Sequence, residues 1–153
     1  MGKVKNNENL SFLQAAQKTN NPELIKSMLQ AGAEINSLDE HGTTALHLAT
    51  QHNNNDVVTA LIELKANLNE KDQDGNTPLH YAVMIKNKIA AKALVAVGAN
   101  PNIKNNDNKT ALKIAQEGHN PEMVKILLPT SKHKAVFFNK KRSFTKVKPS
   151  QLN

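Results

Sequence analysis

The chain contains no cysteine and no tryptophan, and only 3% of its residues are aromatic. Without cysteine there is no disulfide framework, no zinc–thiolate site and no thiol nucleophile. With so few aromatic rings a core must be assembled from Leu, Ile, Val and Ala, which suits thin stacked layers better than one large globule. Long apolar runs are missing too. The opening MGKVKNNENLSF lacks a signal-peptide stretch, and nothing approaches the roughly 18 consecutive apolar residues of a membrane span. The expectation is a soluble, cytoplasmic chain of one domain in a reducing compartment.

Acidic residues are absent from one region only. Residues 1–128 carry 13 Lys and all 13 Asp and Glu, whereas residues 129–153 carry six Lys and one Arg with no acid. The entire net charge of +7 therefore resides in the tail, and any attraction to nucleic acid or acidic membrane belongs there. Asn (21 residues) and Lys (19) are heavily used, a skew that an AT-rich genome produces and that by itself implies no mechanism.

What is present is a period of 33 residues. Asp39 to Ala49 reads DEHGTTALHLA, Asp72 to Ala82 reads DQDGNTPLHYA, and Asn105 to Ala115 reads NNDNKTALKIA. Leu61, Leu94 and Leu127 share one column, and Asn36, Asn69 and Asn102 another. A fixed period of this length marks a stacked-repeat solenoid. The expected fold class is all-α, with helix pairs separated by short turn fingers. The repeats fall at 6–38, 39–71, 72–104 and 105–128, with an N-terminal arm at 1–5 and the basic tail at 129–153.

Turn chemistry fixes the register within each repeat. Asp39 or Asp72 opens the turn, and Gly42 or Gly75 supplies positive φ. Thr44, Thr77 and Thr110 stand as N-caps, and Pro78 occupies the first helical position, where its missing N–H costs nothing. Second helices then bury Val57, Val58, Leu61 and Ile62, followed by Ala90, Ala91, Leu94 and Val95. Gly32 and Gly98 end their helices, and Lys65 stands in the same column with a side chain that positive φ disfavours. Asn108 replaces the turn glycine, a substitution that the left-handed region tolerates. In the first repeat the turn is eroded, and Ser11-Phe12-Leu13-Gln14 reads as a capping box that starts a helix.

The pattern D-x-x-G-x-T-[PA]-L-H-x-A, a second apolar helix and then G-A-x-x-N resembles the ankyrin repeat over residues 6–128. The resemblance implies a right-angled stack of β-turn fingers and helix pairs, with Thr44–His47 and Thr77–His80 as hydrogen-bonded pairs that stiffen the turns. Gln14 and Lys113 replace that histidine in the end repeats, which should be softer. It also implies a monomeric, non-catalytic module for holding another protein, without cofactor. Small ankyrin proteins of intracellular bacteria can carry C-terminal secretion signals, so by analogy an effector acting inside a host cell belongs among the readings.

Chemistry-bearing residues admit plainer explanations. His47 and His80 recur at the repeat period, which catalytic or metal-binding residues do not. Asp72-Gln73-Asp74-Gly75-Asn76 resembles the start of a calcium loop, but Gly comes at the fourth position and Val83 stands where the twelfth-position Glu should be. It is a turn. No phosphate-binding loop, nucleophile elbow or H-E-x-x-H is present. No catalytic or metal-ligating residue is assigned.

In ankyrin arrays the columns that vary lie at the finger tips, at the exposed end of the first helix and before the next finger, lining the concave side. Here they hold His41, Thr43, Gln51, His52 and Lys71, then Asp74, Asn76, Met84, Ile85 and Lys104, then Asp107, Lys109 and Glu117. Met84-Ile85 is apolar where the other repeats have Gln-His and Glu-Gly, the signature of an interface anchor. The alternative is that one of the pair tucks against a neighbouring repeat. The tail interleaves three Phe with its cations. It reads as a solvated arm, as a cap in which Ala135 to Phe138 cover the last repeat, as a nuclear-import or polyanion patch at Lys140-Lys141-Arg142, or as a secretion signal. Polyanion binding through this tail is the alternative to protein recognition.

Overall fold

Each repeat supplies two amphipathic helices too thin to bury their own apolar sides, so they stack. The computed structural model describes residues 2–129, with side chains from residue 7 onward, and the expectations placed on the tail lie outside the described residues. Among the described residues there are eight helices and no strand: α1 (Gly2–Lys18), α2 (Pro22–Gln30), α3 (Ala45–Gln51), α4 (Asn55–Glu63), α5 (Pro78–Met84), α6 (Lys88–Ala96), α7 (Ala111–Glu117) and α8 (Pro121–Leu127). Helices α1, α3, α5 and α7 pack in one row and α2, α4, α6 and α8 in a second, each layer touching only its neighbours. A single apolar core runs the length of the stack. No helix is long and apolar enough to cross a membrane among the described residues.

Two rows of caps set the helix starts. Thr44, Thr77 and Thr110 cap α3, α5 and α7, each hydroxyl accepting from the N–H three residues on, and Pro78 occupies the first turn of α5. The second helices α2, α6 and α8 are capped by Asn21, Asn87 and Asn120. Asn54 stands in the same column but caps nothing. Its amide donates instead to the carbonyls of Ala16 and Gln17 at the end of α1, at 2.8 and 3.0 Å. In exchange Asn20 of the first layer accepts from the N–H groups of Asp56 and Val57 at the start of α4. Each layer thus closes a helix end of the other.

The first repeat departs from expectation. Ser11 is no cap, because α1 begins nine residues earlier at Gly2 and runs through it. Residues 2–5, expected as an arm, are the opening of that helix. Asn6 and Asn9 stand where the other turns have aspartate and glycine, so no residue here requires a non-helical conformation and the helix extends back to Gly2.

At the other end the core thins. Leu46 and Leu79 are fully buried by layers on both sides, while Leu112 and Val124 of the last described layer are only partly buried.

Two backbone positions carry strain that can be tested. Lys65 has φ +69° in the column where Gly32 and Gly98 also have positive φ. An L-residue there costs about 1 kcal/mol, so Lys65→Gly should raise the thermal midpoint by a few degrees in a circular dichroism melt. Gly75 combines φ +77° with crowding: a Cβ would lie 2.6 Å from Asn106 Oδ1 and 2.7 Å from Asn106 N. At Gly42, φ is +74° but the nearest atom is 3.5 Å away. Gly75→Ala should therefore cost at least about 1 kcal/mol more than Gly42→Ala in urea titration, since it must also displace the next finger.

Candidate functional site

The fingers project from the first-helix row and are built from one side chain each. Asp39 Oδ1 accepts from the N–H groups of His41 and Thr43, at 2.8 and 2.9 Å. Asp72 Oδ1 does the same for Asp74 and Asn76, and Asn105 Oδ1 for Asp107 and Lys109. Adjacent fingers pair through backbone bonds, Gln73 N–H to the His41 carbonyl and Asn106 N–H to the Asp74 carbonyl, both 3.0 Å. Side-chain amides add a second rung: Gln73 Nε2 donates to the Glu40 carbonyl at 2.7 Å, and Asn106 Nδ2 to the Gln73 carbonyl at 2.7 Å.

Histidine locks each finger to its helix. His47 Nδ1 accepts from the Thr44 N–H at 3.1 Å, which leaves the proton on Nε2 to be donated to the Asn76 carbonyl of the next finger at 2.9 Å. His80 repeats this with Thr77 and with the Lys109 carbonyl, also 2.9 Å. The ring thus plays the part that Glu plays in a capping box and adds a bond to the neighbouring layer. Tyr81 packs edge-on against His47 with ring centroids 5.8 Å apart, and its hydroxyl donates to Asp72 Oδ2. Burial, then the Asp72 bond, push the Tyr81 phenol up to about 12.

Between these fingers and α1 lies a cleft of about 960 Å³. Helix α1 forms one wall with Asn9, Leu10, Leu13, Gln14 and Gln17. Opposite stand Leu38 and the finger residues Asp39, Glu40, His41, Asp72, Gln73 and Asp74, and the floor includes Leu48 and Tyr81. Four carboxylates line the cleft and no Lys or Arg does. Leu10 and Leu38 are each 52% exposed.

The residues expected on the concave face divide into groups. His41, Gln51 and Asp74 line the cleft, as does Thr43. His52, Lys71, Met84, Ile85, Lys104, Asp107, Lys109 and Glu117 lie outside it. Met84 and Ile85, at the end of α5, are 40% and 38% exposed, so neither is tucked into the core. Lys109 and Glu117 bind each other at 2.6 Å, which raises the lysine pKa and lowers that of the glutamate.

Thr43 and Asn76 are each only 6% exposed, so they offer a partner little surface, although Thr43 lines the cleft. Asn76 turns inward, its Oδ1 accepting from Asn105 Nδ2 at 2.8 Å and its carbonyl from His47. At Asn76 the side chain in that column is committed to a neighbouring finger. Leu10, Leu38 and Tyr81 were missed. The eroded first turn hid Leu10, and Leu38 stands in the column of Lys71 and Lys104, one residue before the finger, but was not counted with them. An exposed leucine at a finger base was the available signal. Among the described residues no group of three His, Asp or Glu is placed to hold a metal ion.

The buried imidazoles make stability depend on pH. Burial is the main cause that pushes His47 and His80 below the ordinary 6.5, and for His80 the Lys71 charge adds to it. Both are neutral in the fold, while in the unfolded chain they protonate below about 6.5. The unfolded state then binds more protons, so stability rises with pH in this window. It should be complete above pH 6.5 and decline as pH falls toward the depressed folded values. Urea titrations at a series of pH values should show this decline in wild type and a shallower one in His47→Gln. Equal slopes would remove His47 from the account.

The sequence model for ankyrin repeats, in three copies, matches residues 12–105 and, overlapping them, residues 65–142. No curated protein matches the chain.

Proposed function

Since this chain belongs to the ankyrin repeat family, whose repeats generally mediate protein–protein interaction, we propose that it holds a partner protein in the cleft between α1 and the first two fingers. Members of the family are typically non-catalytic, and an adaptor, or an inhibitor covering a partner's active surface, is the role that suits such a scaffold. The observation that carries this reading is the exposure of Leu10, from α1, and Leu38, at the base of the first finger, in the lining of one cleft whose other exposed lining groups are polar. Apolar side chains ringed by polar ones lose water on docking and anchor an interface, while the rim fixes orientation. Fingers tied to one another and to their helices need little ordering when a partner arrives, which favours affinity from modest contacts.

Met84 and Ile85 extend the proposed surface beyond the cleft as a second apolar element, with His41, Gln51, His52, Lys71, Asp74, Lys104, Asp107, Lys109 and Glu117 as its polar surroundings. Affinity capture with mass spectrometry on wild type, Leu10→Asp/Leu38→Asp and Ile85→Asp separates the two elements. The cleft double variant should lower recovery of a shared partner by about tenfold or more, equivalent to 1.4 kcal/mol. Melting curves should stay nearly unchanged, because all three side chains are solvent-exposed. A partner set indifferent to the cleft variant but lost with Ile85→Asp moves recognition to the end of α5; indifference to both ends the proposal.

A further inference from the structure

We propose that the cleft is occupied in the free protein by the chain's own basic tail, through the segment Lys140 to Lys148, KKRSFTKVK. This rests on the cleft being the recognition face and names what fills it when no partner is bound. Charge is the first support. The body, residues 1–128, is balanced at 13 cationic and 13 acidic side chains, yet the cleft gathers Asp39, Glu40, Asp72 and Asp74 with no Lys or Arg among its lining residues. The tail carries seven cations and no acid. Glu40 and Asp74 are exposed at the finger tips, so their carboxylates face an incoming cation with little prior desolvation.

Shape and polarity agree. Lys140, Lys141 and Arg142 precede Phe144 by two to four residues, and Lys146 and Lys148 follow it at alternate positions. In extended backbone such a segment puts an aromatic ring among cations spaced along the chain, and the cleft offers Leu10, Leu38 and Leu48 between carboxylates. Aromatic burial together with paired rim charges is a combination that neither a purely basic nor a purely apolar peptide satisfies. Length permits it. The chain leaves α8 at Leu127, and Lys140 lies 11 residues beyond Pro129. Eleven residues span up to about 36 Å, whereas one step from α8 to α7 and two layer steps on to α3 amount to roughly 30 Å. A tethered segment needs little intrinsic affinity, because its effective concentration is on the order of millimolar. A partner would then have to displace the tail, and would be selected for the same alternation of cationic and aromatic side chains.

Paramagnetic relaxation in the full chain tests this, helped by the absence of any native cysteine. A nitroxide on Ser150→Cys should cause a roughly twofold or greater loss of amide intensity at Leu10, His41 and Asp74, relieved in about 0.5 M salt, where the Debye length is only a few ångströms. Adding Lys140→Glu, Lys141→Glu and Phe144→Ala to the labelled chain should restore the same signals without moving the melt. Broadening at Leu112 and Val124 instead would mean that the tail covers the last layer and would overturn the proposal. So would broadening of ¹⁵N-labelled, untagged chain by tagged ¹⁴N chain, which indicates a second copy as donor, and so would the absence of any selective broadening. If no tail contact is found while Leu10→Asp/Leu38→Asp still loses its partner, the tail reading fails and the recognition reading stands.

Discussion

The structure depends on hydrogen bonds that cross from one layer to the next. A solenoid has no contacts between distant parts of the chain, so nothing outside the adjoining layers can compensate for a weak joint. The His47 imidazole illustrates what a joint requires. It is fully buried, held in one tautomer by the Thr44 N–H, and its remaining N–H meets the Asn76 carbonyl 29 residues away. That carbonyl also accepts from the Asp72 N–H at 3.0 Å, so the imidazole ties the turn of the next finger directly to α3. Asparagine does similar work at other heights of the stack. Asn36 Oδ1 accepts from Asn67 N–H at 2.8 Å, and Asn69 Oδ1 accepts from Asn100 N–H at 2.9 Å. These bonds fix the displacement between layers, which packing of Ala, Leu and Val alone would leave freer to slide.

Stiffness is consequently uneven along the array. The histidine joint exists between the second and third layers and between the third and fourth. At the first layer Gln14 stands in its column and at the last Lys113, and the last layer also leaves Leu112 and Val124 partly uncovered. The cleft lies where the firm middle meets the first layer. Its finger side is held by turn, backbone, side-chain amide and histidine bonds, and its α1 side by packing against α2 and α3, by the exchange between Asn20 and Asn54 and by two bonds between Asn9 and Glu34.

How much of this could be read from the residues follows from physical scale. The 33-residue period, the threonine caps, Pro78 in the first turn and the strained Lys65 were all legible, because each rests on interactions within a few residues of itself. The asparagines were not. Their abundance looked like base composition, yet Asn20, Asn36, Asn54, Asn69, Asn76, Asn87, Asn105 and Asn106 all bond to another layer. Whether an amide side chain reaches across to a neighbour depends on stacking distance, which a linear pattern does not carry. The Ser11 capping box failed for the opposite reason. A local motif was present, but a helix that has no reason to stop upstream overrides a cap.

Reading the contact surface by subtraction has a matching limit. It assumes that a column which changes between repeats is free of structural duty. Asn76 breaks the assumption, since it differs from Thr43 and Lys109 in its column and yet is buried and bonded to Asn105, which stands where the other fingers have aspartate. The converse error hid Leu10. Erosion of the first turn reads as decay of a repeat, but it extended α1 to 17 residues against seven in α3, and the added length contributes Asn9 and Leu10 to the wall of the cleft. A first repeat with an intact turn would have had a finger there, stacked on the next and leaving no gap. The cleft exists because the repeat pattern fails at its first unit.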